Sequence, residues 1–113
     1  LVLTGINTFT GPTAVNAGTL QAGAAAGGQA FGNLSAVTVS SGAVLALNGF
    51  SQTIGSLTGN GTVSLGNATA ALTLGGDNSS TVFGGVVSGS GSITKVGTGT
   101  FAVTNTVVPA GFT

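Results

Sequence analysis

The sequence predicts an all-β chain wound as a parallel β-helix (a β-solenoid) of about five coils, and three observations carry that prediction. Short Val, Leu, Ile, Thr and Phe runs alternate with Gly, Asn and Ser along the whole chain, the pattern of strands joined by tight turns. Like residues recur at fixed steps: Val15, Val39, Val63 and Val87 lie 24 apart, and Gly18, Gly42 and Gly66 follow the same step. Charge is nearly absent. One Lys and one Asp in 113 residues make a charged fraction of 2%, against the roughly 25% of ordinary soluble domains.

In order, the strand candidates are Leu1–Thr4, Thr13–Val15, Thr19–Ala22, Ala36–Val39, Val44–Leu47, Thr53–Leu57, Thr62–Leu65, Ala70–Leu74, Thr81–Val87, Ser92–Val96 and Thr100–Thr104. Regular spacing of this kind belongs to sandwiches, barrels and solenoids. Gly23–Gly32 reads as a loop bulging from the body, because the glycines at 27 and 28 oppose a helix through its alanines. The segment Phe83–Asn105 holds the only Lys and organises the chain. Its Phe101–Thr104 lines up with Leu1–Thr4, so the N-terminus reads as the continuation of a unit begun near the C-terminus.

Repetition favours the solenoid. AVNAGTLQA (14–22) matches TVSSGAVLA (38–46), and LTGNGTVS (57–64) echoes VSGSGSIT (87–94) at a step of 30. In a parallel β-helix identical positions stack about 4.8 Å apart, so Val over Val and Gly over Gly follow naturally. Corner Gly and Asn accept positive φ. The six Phe are then expected as core fillers. A single coil cannot bury its own apolar face, so coils gain stability by stacking. With almost no charge to block them, the end faces invite addition of a neighbour.

Composition excludes several classes. High charge with low hydrophobicity marks disorder, and this chain is the reverse, with mean hydropathy +0.62 and 2% charge. No stretch approaches the roughly 18 unbroken apolar residues of a membrane-spanning helix. The 22 Gly follow no three-residue period, which excludes collagen. The absence of Cys has two readings: chance in a low-complexity chain, or export through an oxidising compartment. Leu1 opens directly in a strand-like run, so any export signal is expected upstream.

GSGSITKVGTGTFAVTN (89–105) resembles the passenger-associated transport repeat (autotransporter-associated β-strand repeat) of bacterial autotransporters. In that family a Gly-Ser/Gly pair leads to Leu/Ile-x-Lys and then Gly-x-Gly-Thr-Leu-x-Leu. Its continuation, Thr/Ser-Gly-x-Asn-x-aromatic-Thr-Gly, is matched by Leu1–Thr13 (LVLTGINTFTGPT), including Asn7, Phe9 and Gly11. VNAGTLQAG (15–23) and SGAVLALNG (41–49) are similar to family coils, whereas Thr106–Thr113 (TVVPAGFT) departs from the pattern. The resemblance implies a right-handed β-helix, secreted through an outer membrane with a translocation barrel as export partner. It further implies display on or outside a bacterial cell, in stalk formation and export supporting adhesion, without catalysis.

The residues point away from chemistry on their own account. General acid–base work needs titratable groups near the operating pH, and there is no His or Cys here. Lys95 could pair with Ser88, Ser90 or Ser92, yet no second polar partner is apparent. Gly75-Gly76-Asp77-Asn78 offers one carboxylate, too few for a hard-cation cage, so no metal, cofactor or small-molecule substrate is expected. The Gly runs lack the helix that phosphate cradling needs, and the basic footprint of nucleic-acid binding is missing. Asn33, Asn60, Asn67 and Asn78 head Asn-x-Ser/Thr triplets, as expected in a Ser/Thr-rich chain. Lys95 and Asp77 read as two solvated surface charges, with pairing across coils the other possibility.

Three functions follow as expectations. The first is a structural segment of a secreted autotransporter passenger, residues 1–113 being one slice of a longer array. The second is a self-assembling extracellular fibre subunit with a biofilm role, joined end to end through Leu1, Val2, Leu3, Phe101, Val103, Val107, Val108 and Phe112. The third is a Thr-rich surface binder such as an ice-binding β-helix. That reading needs stacked Thr rows, and Thr8/Thr10, Thr98/Thr100 and Thr104/Thr106 do not recur at the 24-residue step.

Overall fold

Thirteen strands, none longer than four residues, make up a computed structural model that describes residues 2–3, 7, 11–23, 30–32, 34–66, 70–89 and 91–104. They fall on three walls, and every pairing is parallel. Wall A holds β1 (Val2–Leu3), β3 (Thr19–Ala22), β5 (Val44–Ala46), β8 (Thr62–Ser64) and β11 (Val86–Ser88) in that order. Wall B holds β2 (Thr13–Val15), β4 (Ala36–Val39), β7 (Ser56–Gly59), β10 (Thr81–Phe83) and β13 (Phe101–Val103). Wall C holds β6 (Gln52–Thr53), β9 (Ala71–Leu74) and β12 (Ser92–Lys95). The chain visits the walls in the order B, A, C, so the five strands of wall B bound four complete turns of a parallel β-solenoid. No helix occurs among the described residues, and none is long and apolar enough to cross a membrane.

Period-2 alternation decides which side chains meet inside. On wall A, Leu20, Leu45, Val63 and Val87 form one inward row. On wall B, Val37 lies beside Leu57, and Val15 beside Val39. On wall C, Leu72 lies beside Ile93. All ten are buried in one continuous apolar core.

Two expected strands each divide in two. Thr53–Leu57 breaks at Ile54-Gly55 and Thr81–Val87 at Gly84-Gly85, where the chain turns from one wall to the next. A Cβ on Gly85 would stand 1.8 Å from the Gly61 carbonyl oxygen, so this corner closes on its neighbour only without a side chain.

The 24-residue ladder is corrected. Val15 pairs with Val39 on wall B, while Val63 pairs with Val87 on wall A. The neighbour of Val39 in the next turn is Gly59, and Leu45 is the earlier neighbour of Val63. Gly18 and Gly42 stand at successive B-to-A corners. Gly66 sits instead between Gly49 and Gly89 at the A-to-C corner. Corner lengths differ from turn to turn, so a constant step in sequence slips from wall to wall. The echo of 14–22 in 38–46 is real stacking, with one extra residue in the second corner: Val15 pairs with Val39, but Leu20 with Leu45. The step-30 echo is not stacking, since Ile93 pairs with Leu72.

Two further expectations change. Within Leu1–Thr4 the described Val2 and Leu3 lie on wall A, but Phe101–Val103 lies on wall B, so the two ends are not equivalent parts of one coil. Of the six Phe, Phe31 and Phe83 are fully buried and Phe101 packs against the core, but Phe50 is 36% exposed at an A-to-C corner. Phe9 and Phe112 lie outside the described residues.

Candidate functional site

The surfaces available for function are the outer faces of the walls, the corners and the two ends. On wall C the outward positions of the three strands stack Thr53, Thr73 and Thr94 directly. On wall B, Thr38 and Thr58 are neighbours, their Oγ1 atoms 2.9 Å apart. Thr rows therefore exist, at steps of 20 and 21 instead of 24. These rows are built from threonines other than the pairs that fail to recur at a step of 24, because coil length and the repeat step differ.

Asp77 lies in a C-to-B corner, and Lys95 ends the wall-C strand of the following turn. Asp77 Oδ1 accepts from Ser79 N at 3.0 Å and from Ser79 Oγ at 2.7 Å, a local turn closed by its own side chain. Burial pushes the Asp77 carboxyl up, but the Ser79 side-chain and backbone donors and the Ser56 hydroxyl outweigh it and hold the carboxyl below its usual value. Asn78, at φ 61, accepts Thr98 N, and Ser80 Oγ accepts Thr100 N, so polar side chains stitch one turn to the next.

Lys95 is more than a solvated charge. It occupies the third place of an inward row after Ile54 and Leu74, half-buried, and its Nζ donates to the Val96 carbonyl. No ion pair links it to Asp77 among the described residues. Ser92 stands on the opposite face of the same strand, Ser88 is on wall A, and Ser90 lies outside the described residues. No group of three or more His, Cys, Asp or Glu occurs among the described residues.

Sequence reading missed the amide clamp on wall C. Residues 24–29 of the expected loop are outside the described set, but Ala30 and Phe31 are buried in a turn where wall C has no strand among the described residues. Asn7 Nδ2 donates to the Ala30 carbonyl, and Ala30 N donates to Gln52 Oε1, each at 2.8 Å. Side chains from the turns before and after thus hold both backbone groups of Ala30. A Gln in an otherwise apolar inward row, ahead of Leu72 and Ile93, was the available signal.

The two ends differ. At one, β2 has no wall-B neighbour before it among the described residues, and a groove of about 300 Å³ opens there, lined by residues 13–17, Thr19 and Leu20. At the other, β11, β12 and β13 are the last strands of their walls among the described residues, with Phe101 and Val103 half-exposed. Val2, Leu3, Phe101 and Val103 thus lie in terminal strands of walls A and B. Leu1, Val107, Val108 and Phe112 lie outside the described residues.

Stacked side-chain rows and polar-stitched corners define a repeat-built β-solenoid. Residues 1–22 match the passenger-associated-transport-repeat family, so the chain carries the repeat that its motifs resemble. It is also 47% identical over 109 residues to the adhesin BmaC autotransporter of Brucella suis biovar 1 (strain 1330), a match covering 92% of this chain and 3% of that protein. No solved structure matches.

Proposed function

We propose that the chain is a non-catalytic spacer segment of a bacterial autotransporter passenger, displayed at or beyond the cell surface, where it extends the stalk that supports adhesion. Its similarity over 92% of its length to a small part of an autotransporter adhesin carries this reading. The physical chemistry fits export. With one Lys and one Asp, an unfolded segment crosses a narrow translocation barrel with little charge to desolvate, and without Cys it cannot bridge on the way. Each turn recovers its ordering cost only by pairing with the turn before it, so folding outside the cell proceeds turn by turn and opposes backsliding. Adjacent passenger coils and the barrel are the partners this reading implies.

The test is display. A passenger with this segment deleted, or carrying Gly85→Ala within it, should reach the surface in smaller amount by protease accessibility of intact cells. Undiminished display and adhesion of both forms would reject the spacer role.

A further inference from the structure

We infer that Asn48 and Asn60 are deamidation sites of the unfolded chain that winding of the solenoid locks, and that conversion of Asn60 prevents rewinding. The chain holds two Asn-Gly pairs, Asn48-Gly49 and Asn60-Gly61, and both form corners. Glycine opens this chemistry, because no Cβ shields its backbone nitrogen. After losing its proton to base, that nitrogen attacks the Asn Cγ; the N–Cγ bond forms and ammonia leaves. Water then opens the cyclic imide at either carbonyl. One opening gives Asp. The other gives isoaspartate, in which the backbone runs through Cγ and is longer by a carbon atom.

The fold withholds both nitrogens. Gly61 is buried at the B-to-A corner between β7 and β8. Its N–H donates to the Val39 carbonyl of the turn before at 2.9 Å, and its carbonyl accepts Val86 N of the turn after at 3.0 Å. Pinned from both sides, the peptide keeps its proton and cannot swing onto Cγ. Asn60 Oδ1 occupies the place that a Cβ on Gly84 would need, so the side chain lies against the next turn. Gly49 N donates to the Leu65 carbonyl at 3.1 Å, in an A-to-C corner where Asn48 and Gly49 have φ 54 and 80. Asn48 is exposed and Gly49 half-buried, so this corner opens more readily than the one at Gly61. Asn60 also stands where an added backbone atom matters most. It and Gly61 alone separate Gly59, in register with Val39, from Thr62, in register with Val44. An isoaspartate there lengthens a corner whose two ends are fixed.

The test incubates the folded chain beside the same chain in guanidinium chloride, both in mildly alkaline buffer. Peptide mapping follows the gain of about one mass unit at each site. In denaturant the two sites should convert at comparable rates. In the folded chain Asn60 should convert at least about tenfold more slowly than in denaturant, and more slowly than Asn48. When denaturant is removed, isoaspartate at 60 should collect in the fraction that fails to refold. The variant Asn48→Gly with Asn60→Gln, in which Gly accepts the positive φ at 48, should keep its refolding yield through the same incubation. Conversion of Asn60 at equal rates in both samples overturns the inference. So does isoaspartate at 60 in refolded chain, or an equal loss of yield in the variant. The spacer reading stands apart from either result, since it is decided by surface display.

Discussion

Gln52 accepts the backbone N–H of Ala30 through its side-chain Oε1 at 2.8 Å, across a turn where wall C has no strand among the described residues. Gln52 is 1% exposed, and its Nε2 finds no partner among the described residues. The side chain supplies this acceptor at the cost of a buried donor. Gln52→Leu keeps the apolar bulk but strands the Ala30 amide, and should destabilise by about 1–3 kcal/mol in urea unfolding. Wild-type stability of this variant would show that the clamp contributes nothing.

Corner glycines should separate by what surrounds them. A Cβ at Gly85 meets the Gly61 carbonyl oxygen at 1.8 Å and the Phe83 ring at 2.8 Å, so Gly85→Ala must push two turns apart. It should cost about 3 kcal/mol or more. Gly18 has nothing within 4 Å of the same point, and its φ of +72 is the only obstacle. Gly18→Ala should cost about 1–2 kcal/mol. Thermal unfolding of the two variants, compared side by side, reads the difference.

The phenylalanines divide likewise. Phe83→Ala empties a fully buried site and should lose about 3–5 kcal/mol. Phe50→Ala, at an exposed corner, should fall within about 0.5 kcal/mol of the parent. Equal losses in denaturant titration would contradict the placement of Phe50.

Acid should act through one side chain. The Asp77 carboxyl is held below its ordinary 3.8 by Ser79 and Ser56, so its ionised form favours the fold. That contribution is fully present above the ordinary value and is lost as pH falls through the lower, folded value. The unfolding midpoint should therefore stay level from neutral pH down to about 3.8 and decline below it. In Asp77→Asn the acid decline should be smaller. An unchanged decline would place the linkage elsewhere.

Much of this was legible along the chain. Thr13–Val15, Thr19–Ala22 and Ala36–Val39 have the bounds that Gly and Asn punctuation indicated. Stacking of 14–22 on 38–46 was visible as matched residues. What misled was the assumption of one coil length. Three residues separate β2 from β3, four separate β4 from β5, and two separate β7 from β8, so equal steps in sequence do not return to one wall. Thr53, Thr73 and Thr94 escaped notice for the same reason, and the unbroken runs through Gly55 and Gly85 hid two corners.

Local chemistry determined the strands and the turns, because side-chain alternation and glycine tolerance act over a few residues. Which wall each strand joins, which residue lies above which, and how Asn7 and Gln52 hold Ala30 between them were decided only in three dimensions. Those choices depend on corner lengths summed over whole turns, and on backbone groups that find partners about twenty residues away.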